Sequence, residues 1–111
     1  MSTYAMYRLW IGIPYKDLPD HPFIDKVEES KLKGVEEDGL KFETIYMHGE
    51  EAGLGVEVFE LDWITADEPA QEYDPSITQR ALQMLDKVRE VFAQHGIQIE
   101  PKIYHHLDLG G

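Results

Sequence analysis

Apolar and polar residues alternate along the first part of the chain. Residues 5–13 read AMYRLWIGI, and Tyr7, Leu9, Ile11 and Ile13 fall on one side. Alternation among aromatic and β-branched residues is typical of a strand with one buried face. Pro14 ends this strand, because a proline has no N–H to give to a neighbouring strand.

Two further runs alternate in the same way and predict a hairpin. They are residues 40–48 (LKFETIYMH) and 54–63 (LGVEVFELDW), joined by the glycine-bearing segment 49–53. A short loop of this kind between two alternating runs indicates two paired strands. The polar segment 36–39 before the first run is interpreted as a loop. Residues 97–107 alternate once more and predict a last strand, bent at Pro101.

Two segments show helical rather than strand spacing. Residues 22–33 carry a ragged apolar stripe, with Asp20 as the expected N-cap and Gly34 as the end. The second segment has Asp74 as its cap, Pro75 in its first position and Gly96 as its end. Its apolar positions recur at the period of a helix: Ile77, Ala81, Met84, Leu85, Val88, Val91 and Phe92.

The resulting order of elements, β-α-β-β-α-β, is that of a ferredoxin-like α+β sandwich. We therefore predict one domain over residues 1–111, with a four-stranded antiparallel sheet in the order 4-1-3-2 and two helices on one face. Many unrelated functions occur on this fold, and no family-specific motif accompanies it here. The prediction therefore stops at the architecture.

One face of such a sheet carries no helix. Alternation places Leu9, Phe59 and Leu61 on the helix side, and Arg8 on the other, where we expect a surface salt bridge to Glu60 or Asp62. A large exposed apolar patch usually marks a contact. We expect this one to form a sheet-to-sheet homodimer, with a covering loop, a ligand or a different protein partner as the alternatives. The apolar residues assigned to this dimer or ligand face are Met6, Trp10, Ile45, Met47, Val56 and Val58.

The charge of the chain is strongly one-sided, with a net value of −12 and a pI near 4.6. Between positions 42 and 79 there are ten carboxylates and no Lys or Arg. This balance argues against direct binding to nucleic acid or to an anionic membrane. No apolar run reaches the roughly 20 residues of a membrane span, and the absence of cysteine favours a cytoplasmic location.

Part of this charge is expected to gather at one end of the sheet. We take the first and third strands as neighbours that run in the same direction, so that the loops after them emerge together. Such a cluster could bind a divalent cation or a basic protein, or it could be only a solvated acidic rim. The acidic loop end assigned in this way comprises Asp17, Asp20, Asp62, Asp67, Glu68 and Glu72.

Candidate catalytic chemistry is sparse. There is no cysteine, no G-x-S-x-G, no P-loop and no dinucleotide-binding motif. His48, His105 and His106 with Glu50 and Glu51 resemble a metal set, but they fall on opposite edges of the predicted sheet, about 14 Å apart. We therefore predict neither a metal site nor a cofactor.

Three functions remain open. The first is a non-enzymatic acidic binding module, homodimeric, that engages a basic protein or a cation through its acidic loop end. The second is a small cofactorless enzyme with a pocket between sheet and helices, in which His48, His105 or Tyr46 is the acid/base. The third is a nucleic-acid mimic that inhibits a DNA-binding protein, which needs carboxylates spaced like phosphates.

Overall fold

The computed structural model describes residues 4–47, 49–65 and 72–110. Within these ranges the chain forms five strands and two α-helices. The elements in chain order are β1 (Tyr4–Pro14), α1 (Pro22–Glu29), β2 (Val35–Glu37), β3 (Leu40–Met47), β4 (Glu50–Thr65), α2 (Ser76–Gln94) and β5 (Lys102–Gly110).

The strands form one sheet in the order β2-β3-β4-β1-β5, and every neighbouring pair is antiparallel. The predicted class, α+β with two helices and an antiparallel sheet, is confirmed. The predicted four strands in the order 4-1-3-2 are wrong for this sheet, because a fifth strand, β2, pairs with β3 at its edge. β5 starts at Lys102, after Pro101, so that residues 97–101 are not part of the last strand.

The short strand β2 is the first arm of a tight hairpin. Glu37 pairs with Leu40, which leaves Asp38 and Gly39 as the two loop residues. Both have positive φ, 51° and 78°, which is the requirement of a type I′ turn. Asp-Gly is a strong sequence signal for that turn, so the segment interpreted above as a loop contained its own evidence for a hairpin.

Both helices pack on the same face of the sheet and share one buried cluster with β1, β3 and β4. α2 supplies most of the helical contribution through residues at the predicted spacing, such as Val88 and Phe92. α1 is shorter than predicted and ends at Glu29. Its N-cap is His21 rather than Asp20, since the His21 ring accepts a hydrogen bond from the Phe23 backbone N–H at 3.0 Å.

A one-residue bulge in β4 changes which side chains reach this core. Leu9 faces Phe59, but the next residue, Trp10, faces Glu57, so Val58 is an extra residue in the ladder. A bulge of this kind reverses the alternation beyond it. Val58 and Phe59 both contribute to the helix side, where a regular strand would send one of them to the opposite face.

Two glycines permit an unusually close approach of β1 and β4. Gly12 lies opposite Gly55 in the register. A Cβ on Gly55 would overlap the carbonyl oxygen of Ile11, and one on Gly12 would overlap that of Leu54. The pair therefore has no room for side chains, and the centre of the sheet depends on both positions being glycine.

Candidate functional site

The predicted acidic loop end does not assemble. The end of β1, where Asp17 and Asp20 follow, lies beside the start of β4, with Pro14 opposite Gly53. The far end of β4, which contains Asp62, lies beside the start of β1. Ten residues of extended strand separate these ends, or about 33 Å. The expected convergence is therefore wrong, because the two strands run antiparallel. Asp67 and Glu68 lie outside the described residues.

Glu72 does lie at a cleft, which has a volume of about 460 Å³. The floor is the helix-facing side of β1 and β4, and the wall is the start of α2 with the segment just before it. Apolar and aromatic side chains form most of the surface, and charged groups stand at the side of α2. The lining residues are Tyr7, Phe59, Leu61, Glu72, Tyr73, Asp74, Ile77 and Arg80.

The floor of the cleft follows from the register beyond the β4 bulge. Tyr7 lies opposite Leu61, and its ring is tilted against that of Phe59 at a centroid distance of 6.3 Å. Without the extra residue at position 58, Phe59 and Leu61 would have the parity of the opposite face. The bulge thus gives the cleft its apolar floor.

Hydrogen bonds fix the charged wall. Arg80 Nη2 donates to the carbonyl oxygen of Val58 at 2.8 Å, which ties α2 to the bulge. The hydroxyls of Tyr73 and Thr78 lie 2.5 Å apart and join the segment before α2 to the helix. Asp74 Oδ1 accepts from the Ser76 backbone N–H at 2.9 Å, at the first residue of α2, but the N-cap position is held by Pro75 and not by the predicted Asp74.

The same contact lowers the pKa of Asp74, chiefly through the hydrogen bond from the Ser76 backbone and secondarily through the Ser76 side chain. A carboxylate at this position also interacts favourably with the positive end of the helix. Asp74 therefore stays ionised beside the cleft into acidic solution.

Tyr7 contributes a hydroxyl group to the sheet side of the cleft. Its oxygen lies 3.3 Å from His105 Nδ1, across the β1–β5 pair. Burial raises the pKa of Tyr7, and the nearby Tyr73 raises it further. A tyrosine with a raised pKa remains a neutral hydroxyl at physiological pH, so Tyr7 offers a hydrogen bond and an aromatic surface rather than a charge.

Of the three alternative acid/base residues, the two that the structure describes occupy different places in the sheet. His105 is on β5 and contacts Tyr7 beside the cleft, whereas Tyr46 is exposed on β3. Three strand spacings separate β3 from β5, which is about 14 Å. His48 lies outside the described residues. In the described part of the chain no three His, Asp or Glu residues form a group suited to a metal ion.

The predicted apolar face away from the helices is also different in composition. Val56 and Val58 lie in the core on the helix side, because the bulge shifts the alternation. Trp10 and Ile45 do lie on the other face but are buried there. Met6 and Met47 are half-buried. The six residues therefore do not make one exposed patch.

Trp10 is covered by its own neighbours on β5. Its ring stacks on Tyr104 at 4.9 Å and on His106 at 5.9 Å, and its Nε1–H donates to His106 Nε2 at 2.6 Å. The predicted salt bridge on this face is confirmed, with Arg8 Nη2 3.3 Å from Glu60 Oε1. Aromatic stacking and ion pairing within the monomer thus satisfy much of this face.

In comparisons with known proteins, no family model, no curated protein and no solved structure matches the chain. Neither described helix combines the length and apolar character of a membrane span. Fold and cleft therefore define the class of this protein as an α+β domain with an aromatic cleft between its sheet and the start of its second helix.

The hydrogen bond between Asp74 and Ser76 makes the stability of the fold depend on pH. Because its pKa is lower in the folded chain than in the unfolded chain, its stabilisation is complete above the ordinary carboxyl pKa and is lost as the pH falls through the lowered value. We expect the difference in melting temperature between the native chain and Asp74→Asn to be constant near neutrality and to shrink in strong acid. Asp86→Asn, an exposed carboxylate on the same helix, is the control. A difference that grew on acidification would contradict the assignment.

Proposed function

We propose that this chain is a non-enzymatic binding module that holds an organic cation with an apolar stem in the cleft. The observation that carries the proposal is the composition of the cleft. Tyr7, Phe59 and Leu61 supply an aromatic and apolar floor, and the carboxylates of Glu72 and Asp74 stand at its side. Aromatic faces and carboxylates together form the usual environment for an ammonium group in proteins.

The charges around the cleft favour a cation over an anion. Arg80 is engaged with the carbonyl oxygen of Val58, and Asp74 lies close enough for their charges to interact. Glu72 adds a second, exposed carboxylate, so the lining carries a net charge of −1. The chain as a whole has a net charge of −12, which raises the local concentration of cations and repels anions.

Two sources could offer the same ligand chemistry. One is a free aliphatic or aromatic amine, and the other is a lysine side chain on a basic protein. The second corresponds to the basic partner expected from the sequence, now directed to the cleft instead of to the acidic loop end.

A series of three small ligands tests the proposal. We expect 2-phenylethylamine to bind with a Kd of about 1 mM, as is ordinary for so small a ligand, and 2-phenylethanol to bind about tenfold more weakly. Phenylacetate should not bind. Changes in NMR chemical shift on titration report each Kd, and about 0.5 M salt should weaken binding of the amine but not of the alcohol.

Variants locate the site. Glu72→Gln should weaken amine binding about threefold, whereas Glu90→Gln, an exposed glutamate near the other end of α2, should leave it unchanged. A short lysine peptide, compared with the same peptide carrying norleucine, distinguishes a protein ligand from a free amine. Equal binding of phenylacetate and phenylethylamine would reject a cation site.

A further inference from the structure

The two edges of the sheet differ in how well they are protected from pairing. β2 has three residues, two of them Glu36 and Glu37. β5 has nine residues and pairs with β1 along its whole length without a register shift. Short length and charge are the usual means of blocking an edge strand, and a long regular edge is a template for another strand. Among the described strands, β5 is therefore the edge that is long and regular enough to pair with another strand.

β5 also exposes apolar side chains. Ile103 lies opposite Ile11 and Leu107 opposite Tyr7, so both are on the helix side of the sheet. They are nevertheless 36% and 58% exposed. α2 covers the centre of the sheet and leaves this margin uncovered, and a strand placed beside β5 would bury both residues.

The sequence of β5 is complementary to itself. In an antiparallel pair, residues directly opposite each other point to the same face of the sheet. If two copies of β5 meet with His105 opposite its own counterpart, Ile103 of each copy lies opposite Leu107 of the other. This pair is apolar on both sides, and it occurs twice by symmetry.

The neighbouring registers lack this match. A two-fold axis perpendicular to the sheet keeps the helices of both copies on one side, so the register can only move in steps that keep each residue on its face. Centring the pair on Tyr104 would place Ile103 opposite His105 and Lys102 opposite His106. Centring it on His106 would place His105 opposite Leu107. Of these three registers, only the one about His105 places the two exposed apolar residues, Ile103 and Leu107, opposite each other.

We propose that two copies of this chain associate through β5, antiparallel and centred on His105, to give a continuous ten-stranded sheet, five strands from each copy. The occupant is a second copy because the complementarity is internal to the strand. The contact also lies at a segment of the sequence with few carboxylates, which limits the local repulsion between two copies of net charge −12.

Cysteine crosslinking tests both the contact and its register, and the chain has no cysteine of its own. In the proposed dimer the two His105 Cα atoms are about 4.5–5.5 Å apart, within the range that a disulfide bridges. We expect His105→Cys to form a covalent dimer under mild oxidation. Ile103→Cys should not, since its two copies would be about four residues apart along the strands, or roughly 13 Å.

Leu82→Cys, on the exposed face of α2, measures random collision. Crosslinking of His105→Cys no faster than that of Leu82→Cys would overturn the proposal. Equal crosslinking of Ile103→Cys and His105→Cys would overturn the register.

Light scattering on a size-exclusion column tests association without a covalent bond. The native chain should elute at twice its mass of 12.8 kDa at micromolar concentration. Leu107→Lys should weaken association at least about tenfold, because it places a charge at an apolar contact on both sides of the axis. Leu82→Lys is the matched control, since Leu82 is 54% exposed, close to Leu107. A native chain that stays monomeric at about 100 μM would refute the dimer.

Discussion

Gly55→Ala should be among the most damaging single substitutions in this chain, with a loss of about 3 kcal/mol or more in the free energy of unfolding. The added methyl group would overlap the carbonyl oxygen of Ile11 and lie 2.7 Å from its carbonyl carbon. Both are backbone atoms in the centre of the sheet, so β1 and β4 would have to separate. The total free energy of unfolding of a domain of this size is about 5–15 kcal/mol. Urea denaturation measures how much of it the variant loses.

Gly39→Ala is the matched control. Gly39 has a φ of 78° and nothing near its missing Cβ, so the substitution tests backbone strain without a clash. We expect it to cost about 1 kcal/mol. A Gly55→Ala variant no less stable than Gly39→Ala would show that the two strands are not in close contact.

Trp10→Ala should cost about 3–5 kcal/mol, although Trp10 lies on the sheet face that carries no helix. Trp10 is only 1% exposed, stacks on Tyr104 and His106, and lies so close to Gly53 that a Cβ there would be 2.5 Å from its ring. Removing it leaves both aromatic partners without a packing surface. Thermal and urea unfolding measure the effect.

Two other variants make this result specific. Trp10→Phe keeps an aromatic ring but loses the N–H donated to His106, and it should cost less than the alanine variant. Leu32→Ala, at a residue that is 78% exposed, should change stability by less than about 0.5 kcal/mol. A Trp10→Ala variant as stable as Leu32→Ala would contradict the buried role of the tryptophan.

The sequence predicted best what local spacing determines. The second helix is marked by seven apolar residues at helical period, a cap and a final glycine, and the structure has it at Ser76–Gln94. The long strands and the Arg8–Glu60 contact follow from alternation in the same way. The short strand β2 was missed although Asp38-Gly39 signalled its turn, because three residues are too few to show alternation.

The assignment of β4 side chains to the two faces of the sheet is wrong beyond Val58, because this extra residue interrupts the alternation. Phe59 and Leu61 fall on the helix side as predicted, but carrying their parity back through Val58 sends Val56 to the wrong face. Nothing in the residue types around position 58 distinguishes a bulge from a regular strand. Its structural partner, the Arg80 side chain, is 22 residues away, so no local pattern could reveal it.

The prediction of the acidic loop end is wrong for a different reason, which is the relative direction of β1 and β4. Neighbours in an antiparallel sheet point opposite ways, so the loops after β1 and β4 must emerge at opposite ends. The prediction that Asp17 and Asp20 lie at the same end of the sheet as Asp62 required β1 and β4 to run parallel, and they run antiparallel. The cleft was not predicted, because it depends on the position of the start of α2 over the sheet. The alternation of residues along the strands does not determine that position.

The short acidic strand β2 has a consequence for growth beyond a pair. Once two copies join through β5, the only sheet edges left among the described strands are two copies of β2. Each offers three residues and two carboxylates, so a further chain would gain few hydrogen bonds and would meet like charge. Association should therefore stop at the dimer and not continue into filaments. The hairpin at Asp38-Gly39 has this effect because it places the short acidic strand β2 at the outer edge of the sheet.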